Sequence, residues 1–184
     1  MKKNRKIIAS IVGVVGIGII GTLLYVPVNE AENEYVSVAS AIYNIKDNTI
    51  MYKSELLSVQ DKVMKLNREK ENTIQIDKII EKMEKEDYTD ESKLNDYVKQ
   101  IDRLNESIDN MIDIYNEDEG IKKDVGITEA MMDIEGLNNL IDSEMETYNK
   151  EFVPTFNMHI KKFPVNIVAK IKGWFELDKF SSID

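Results

Sequence analysis

The chain has 184 residues, with 34 Asp and Glu against 24 Lys and Arg, so its formal net charge at pH 7 is −10. This acidic balance excludes nucleic acid as a partner, because binding to phosphates needs a basic face, and the absence of cysteine from the sequence excludes disulfides, thiolate catalysis and cysteine-ligated zinc. Charged residues make up 32% of the chain and only three residues are proline, which is typical of long solvated helices.

The N-terminus combines basic side chains, among them Lys6, with an apolar run over residues 7–28. The run is long enough to cross a bilayer, which takes about 20 apolar residues. The apolar core of a cleaved signal peptide is shorter and ends at a small-x-small site, which the sequence VPVNEAENE lacks. We predict an uncleaved single-pass span in the cell membrane; release of a secreted helical binding protein by signal cleavage is the alternative. Basic flanks stay on the cytoplasmic side, so we expect a cytoplasmic N-terminus and the bulk of the protein outside.

The stretch that follows the run carries apolar residues at alternating three- and four-residue spacing. This heptad pattern predicts one long helix with a supercoiled packing seam. The seam consists of Tyr35, Val38, Ile42, Ile45, Thr49, Tyr52, Leu56, Val59, Val63 and Leu66.

Three further helical segments are predicted before the C-terminal region. Apolar residues over 74–83 indicate a short helix, which either stands alone or continues the first one with a register slip. The next helix takes Thr89 or Asp90 as its N-cap and buries a seam from Leu94 to Tyr115. It ends within the sequence NEDEG, residues 116–120, where Gly120 fits a C-terminal stop.

The fourth helix is predicted to begin at Thr128 as its N-cap. Its apolar stripe continues from Met131 to Phe163, and Pro154 inside it should kink the helix or mark a bulge. Pro164 ends this helix, and a short last helix covers Val165–Lys172.

Helices that each carry one apolar stripe bury those stripes most simply on one another. We therefore predict an all-α fold, an N-terminal transmembrane helix followed by an elongated antiparallel up-and-down four-helix bundle with coiled-coil-like packing. A parallel coiled-coil oligomer of the first helix is the alternative. The predicted divisions are 1–28 for the basic N-terminus and span, 29–175 for the bundle, and 176–184 for a short polar tail.

The C-terminal sequence YNKEFVPTFNMHIKKFPVNIVAKIKGWF resembles the end of LemA-family proteins, which has Tyr-Asn, Phe-Pro-x-Asn, Ile-Ala and Gly-aromatic elements. The matching positions are Tyr148, Asn149, Phe156, Asn157, Ile160, Phe163, Pro164, Asn166, Val168, Ala169, Gly173 and Trp174. The specific match covers about the last 35 residues, and the arginine-rich stretch of the family's first helix is missing. The resemblance implies one N-terminal membrane helix, an elongated antiparallel bundle and no established catalytic activity. It leaves the role of the motif residues open.

Catalytic and metal-binding motifs are not found in the sequence. His159 is the only histidine, so it cannot supply the paired Glu-x-x-His motifs of a di-iron bundle, and we predict a packing or surface role for it. Aligning Gly120 as the sixth residue of a calcium loop puts Tyr115 first and Gly126 twelfth, which fails the ligand pattern. We predict no catalytic residue, cofactor or metal, and a scaffold or protein-interaction role. A metal-dependent or enzymatic activity hidden in the bundle is the alternative.

The motif asparagines and the basic end of the chain each allow two interpretations. Asn149, Asn157 and Asn166 either lock the helix turns or form a docking surface for a partner. For Asn166 we predict a side-chain bond to backbone freed by Pro164. The segment after Pro164 is predicted to fold over the end of the bundle as a cap, while its lysines and aromatic residues would also suit a membrane interface.

Overall fold

The computed structural model describes residues 2–66, 75–88 and 90–181, with side chains described from Thr22 onward except at Leu66 and Glu91. Most of these residues are helical, and none of them lies in a strand. Short 3₁₀ turns at Glu91–Lys93 and Ile121–Lys123 lead into longer helices, and a π-helical turn spans Tyr148–Phe152. The α-helices are α1 (Lys2–Met51), α2 (Lys53–Leu66), α3 (Ile76–Lys85), α4 (Leu94–Glu117), α5 (Val125–Thr147), α6 (Val153–His159) and α7 (Val165–Lys172).

Helices α1 and α2 form one rod with a single irregularity at Tyr52. The backbone N–H of Tyr52 donates to the carbonyl of Asn48 at 3.2 Å, and the carbonyl of Tyr52 accepts from Leu56 at 3.0 Å, so hydrogen bonding continues past it. The predicted seam is confirmed in its described part. Its buried members are Tyr35, Val38, Ile42, Ile45, Thr49, Leu56, Val59 and Val63.

The rest of the chain passes three more times along this rod, in alternating directions. α3 returns along α1 and α2, α4 runs antiparallel to α3, and the α5–α6 segment returns antiparallel to α4. The contacts that establish these directions are Lys53–Glu84, Gln60–Asp77, Tyr88–Gln100, Asp109–Asn138, Tyr115–Thr128 and Tyr35–Phe156. The antiparallel bundle is therefore confirmed, and its stripes are buried against each other within one chain.

The short second segment is a separate helix, α3. It packs Ile76, Ile80 and Met83 into the core with none of their surface exposed. Ile74, which was predicted to belong to this stripe, lies outside the described residues.

The start of α4 agrees with one of the two predicted caps. The Asp90 side chain accepts from the backbone N–H of Ser92 at 3.1 Å and so begins the 3₁₀ turn before α4. Thr89, the other candidate, lies outside the described residues.

Helix α4 ends at Glu117, within the predicted stretch of residues 116–120, but the stop predicted at Gly120 itself is wrong. Gly120 has φ −72° and ψ −42°, a right-handed conformation that does not require glycine. Its backbone N–H instead donates to Asp118 Oδ1 at 2.7 Å. A Cβ added to Gly120 would lie 2.9 Å from that oxygen, so glycine permits this close turn.

The predicted N-cap of α5 is also wrong. Asp124, not Thr128, caps the helix, and its Oδ1 accepts from the backbone N–H of Ile127 at 3.1 Å. Thr128 lies in the first turn, where its hydroxyl donates to the Lys122 carbonyl at 3.2 Å.

The bulge predicted at Pro154 is confirmed. The π-helical turn Tyr148–Phe152 ends two residues before the proline, and α6 begins at Val153. A π turn accommodates an extra residue within a helix, so the apolar stripe stays on the core side although its spacing widens. α6 ends at His159 rather than at Phe163, and the Phe163–Pro164 peptide bond is cis.

The predicted membrane span over residues 7–28 lies in α1, and much of it, residues 7–21, has no described side chains. Within the part of the chain that the structure describes, no helix is both long and apolar enough to cross a membrane. Pro27 lies inside α1 without ending it.

Candidate functional site

The last described residues form an extended segment, 176–181, that lies between α4 and the α5–α6 junction; we call it the C-terminal strap. Leu177 and Phe180 point into the core and are 4% and 2% exposed. Between them the strap turns its backbone toward polar side chains on both flanking elements. The segment predicted to be a polar tail is thus part of the packed bundle.

Asn149 and Asn157 hold one side of the strap. Asn149 Nδ2 donates to the Phe180 carbonyl at 2.9 Å, and its Oδ1 accepts from the Phe180 N–H at 2.8 Å. Asn157 makes the same two bonds to Leu177, both at 2.9 Å. In an extended chain the N–H and C=O of one residue point to the same side, so one carboxamide satisfies both. Asn149 and Asn157 therefore bind the backbone of the strap and not its side chains.

The other side of the strap is held by α4. Asn95 Nδ2 donates to the Glu176 carbonyl at 3.2 Å, and Asn95 Oδ1 accepts from the Asp178 N–H at 2.9 Å. The Asp102 carboxylate accepts from the N–H and the hydroxyl of Ser181, each at 2.9 Å. Sequence reasoning missed both residues. Their one signal is that two helical turns separate them, which places them on the same face of α4.

Three aromatic rings join the C-terminal motif to the first helix. Tyr35 lies 5.2 Å from Phe156 and 5.4 Å from Trp174 between ring centroids, and Phe156 and Trp174 are 5.8 Å apart. Gly173 directs Trp174 into this cluster, because its φ of 74° reverses the chain and lets the Trp174 N–H donate to the Ala169 carbonyl at 2.8 Å. Only glycine adopts this conformation without strain.

Tyr148 lines the strap from the core side. Its ring lies 4.7 Å from that of Phe180, and the residue is fully buried. The hydroxyl oxygen has no hydrogen-bond partner among the described atoms. Burial raises the pKa of Tyr148 well above its usual value, and the nearby carboxylates of Asp178 and Asp102 raise it further. The hydroxyl is therefore held neutral.

The bond predicted for Asn166 does not form. The turn after α6 satisfies its own backbone, since the Asn166 N–H donates to the Lys162 carbonyl at 2.8 Å and the Pro164 carbonyl accepts from Ile167 at 3.1 Å. Asn166 Oδ1 is buried without a partner. Phe163, another motif position, is 72% exposed and lies outside the core.

Helix α7 caps the end of the bundle with one face and exposes the other. Val165 and Ala169 are buried, which agrees with the predicted cap, whereas Ile167 and Ile171 are 51% and 80% exposed. Lys172 pairs with Glu32 and so fixes the end of α7 to α1.

The remaining candidate groups have structural partners. His159 Nδ1 lies 2.8 Å from Glu34 Oε2 and links α6 to α1, as a packing role requires. Among the described residues, no group of three or more His, Cys, Asp or Glu side chains is placed to hold a metal ion. The site therefore binds an extended backbone segment through side-chain amides and one carboxylate.

Comparison with known families assigns the chain to a family. A model of the LemA family matches residues 41–184, so the similarity extends well beyond the C-terminal motif. Comparisons with curated proteins and with solved structures found no match. The family match includes every residue of the strap and of the asparagine pair that holds it. The chain belongs to the LemA family.

Proposed function

We propose that this LemA-family protein is a single-pass membrane protein whose bundle acts, without catalysis, as a scaffold or protein-interaction module at the cell envelope. Its N-terminus is cytoplasmic and its bundle lies outside. The observation that carries this proposal is the path of α1. One helix, Lys2–Met51, contains the apolar run over residues 7–28 and then the first half of the bundle seam. The bundle is therefore attached to the proposed span without a linker.

The exposed apolar side chains support the same placement. Leu23 and Tyr25, near the end of the run, are 65% and 68% exposed, and uncovered apolar surface of this kind favours a membrane or a partner. The exposed face of α7, with Ile167 and Ile171, lies nearby, because α7 is joined to α1 at Glu32. Glu32 is one helical turn beyond the run, about 6 Å along the axis, which is the depth of the lipid headgroups.

A charged groove along α4 is the surface that we propose for protein partners. The groove consists of two adjoining cavities of about 530 Å³ each, and Arg103, Glu106 and Asn110 line both of them. Mixed charge of this kind favours partners of complementary charge and gives them a defined register.

Membrane extraction tests the anchor. We expect the full chain to stay in the membrane pellet after alkaline carbonate treatment and V15E/I19E to leave it. The matched control V125E/M132E introduces the same charges at exposed sites of α5, where the residues are 70% and 68% exposed, and should behave like the natural chain. Extraction of the natural chain would refute the anchor. A mature N-terminus after residue 28 would instead support the secreted binding protein.

Two further measurements test orientation and partner binding. Protease added to intact cells should digest residues 29–184, and their protection would overturn the orientation. A photo-crosslinking amino acid at Arg103 in intact cells should give protein adducts of discrete size. The same probe at Met132, on another face of the bundle, should not. Equal adducts at both positions would eliminate the groove as the partner surface.

A further inference from the structure

Helix α7 and the turn before it form a positively charged region in an acidic chain. Residues 157–175 include no Asp or Glu, although the chain as a whole has a net charge of −10. The lysines of this region are Lys161, Lys162, Lys170 and Lys172. Lys161 and Lys172 pair with carboxylates. Lys162 and Lys170 are exposed, and neither forms an ion pair with a residue that the structure describes.

The outer face of α7 consists of Ile167, Lys170 and Ile171. These residues are three and four positions apart, which places them on one side of the helix. Ile167 and Ile171 are exposed, whereas Val165 and Ala169 are buried in the core. The inner side of α7 therefore fills the end of the bundle, and its outer face presents large apolar side chains beside a lysine that has no carboxylate partner.

This outer face lies at the end of the bundle where the proposed span begins. His159 contacts Glu34 of α1, and α6 runs antiparallel to α1, so the residues after His159 continue toward residue 28. Phe163, in the turn before α7, is exposed as well. Uncovered apolar side chains thus begin in this turn and continue along α7, close to the point where α1 would leave the bilayer.

We propose that α7 docks on the surface of the bilayer and recognises anionic lipid headgroups. Phe163, Ile167 and Ile171 enter the membrane interface, and Lys162 and Lys170 bind the headgroup phosphates. Helices of this kind bury their apolar side chains about 5–10 Å into the boundary between headgroups and acyl chains, and their lysines add attraction to anionic lipids. A bilayer is favoured over an acidic protein because α7 is paired to α1 about one helical turn beyond the proposed span.

This docking rests on the proposed membrane anchor and adds a second contact to it. A single spanning helix leaves the bundle free to rotate and to tilt against the membrane. A second contact through α7 restricts both motions, so the content of anionic lipid would determine how firmly the bundle is oriented.

Fluorescence quenching in vesicles tests the docking of α7. The chain has no cysteine, so Ile171→Cys provides a single attachment point for the environment-sensitive dye NBD. The labelled full chain is reconstituted in vesicles of phosphatidylcholine, alone or mixed with phosphatidylglycerol, that contain a spin-labelled lipid as quencher. We expect stronger quenching in the anionic vesicles. The same dye at Met132, which is 68% exposed on α5, should stay unquenched in both.

Charge substitutions in the labelled chain test the recognition of anionic lipid. K162Q/K170Q should lower the ratio of docked to undocked α7 by about 30-fold, because each lysine near an anionic surface contributes about fivefold. High salt should lower this ratio too, since salt screens exposed charges. The control K78Q/K123Q removes the same charge from exposed lysines near α2, so it should leave the quenching unchanged.

Flotation of the vesicles separates the docking from the anchor. A chain that does not float with neutral vesicles would refute the anchor and the docking together. A chain that floats, but whose dye at position 171 is quenched equally in neutral and anionic vesicles, would refute the docking alone. Equal quenching in K162Q/K170Q and the natural sequence would do the same. An unquenched dye, at a position that crosslinks to a protein in intact cells, would assign the outer face to a protein partner instead.

Discussion

The Asn149 carboxamide should be the strongest single determinant of strap docking. In Asn149→Ala the N–H and C=O of Phe180 both lose their partners in a buried setting. An unpaired buried group costs about 1–3 kcal/mol, so two together cost about 2–6 kcal/mol. The loss of folding free energy has an upper limit, because the end of the strap can detach and its backbone can then form hydrogen bonds with water. Detachment exposes the Phe180 side chain to water, and the burial of that side chain contributes about 3 kcal/mol of stability at most.

We therefore expect Asn149→Ala to lower the free energy of unfolding by about 3 kcal/mol. For a chain of this size that corresponds to a fall in Tm of about 6–12 °C. Urea unfolding followed by circular dichroism measures the free energy. Hydrogen exchange of the Phe180 amide locates the change, because this N–H should exchange faster while the Leu177 N–H stays protected by Asn157.

Asn166→Ala is the matched control. It removes the same side chain from the same C-terminal motif, but its Oδ1 makes no hydrogen bond, so we expect a change below about 1 kcal/mol. Equal losses of stability in the two variants, with Phe180 exchange unchanged in both, would refute the assignment of Asn149 to the strap.

Three other perturbations follow from contacts described above. Trp174→Ala should cost about 2 kcal/mol in urea unfolding, since it removes a half-buried ring from the aromatic cluster, and an unchanged midpoint would contradict that packing. Asp124→Ala should cost about 1 kcal/mol by loss of the α5 cap, and Thr128→Ala should cost less; the reverse order would restore Thr128 as the cap. Tyr97 on α4 is fully buried; burial raises its pKa to about 12 and also raises the pKa of Tyr148. The unfolded chain therefore releases these protons first, and stability should fall as pH rises above about 10; a flat profile between pH 10 and 12 would count against burial of the hydroxyls.

The architecture could be read from the sequence because it depends on periodicity. The three-four spacing from Tyr35 to Val63 determines which face of the rod is buried, and that face is buried in the structure. Pro154 and Gly173 have local effects on the backbone, so a bulge and a helix stop could be predicted from single residues. Helix ends were less predictable, because Asp124 and Thr128 are both good caps and lie one turn apart.

The strap could not be read from the sequence, because it has no periodicity. Leu177 and Phe180 are two apolar residues in a short polar stretch. No pattern in the neighbouring residues indicates that these two side chains are buried in the core. Asn95 and Asp102 lie on the polar face of α4, which the sequence pattern predicts to be exposed to solvent. The polar contacts between α4 and α5 were missed for the same reason, since Asn105 meets Asp142, and Asn138 meets Asp109, only when the two helices pack together.

The continuity of α1 has a mechanical consequence. A continuous helix transmits tilt and rotation from one end to the other. The part of α1 from Val28 to Met51 is about 35 Å long. A tilt of about 10° at the Val28 end would therefore move the Met51 end by about 6 Å, close to one full helical turn. A change in the tilt of the N-terminal segment would in this way be passed along the rod toward its far end, where the start of α5 lies beside α2.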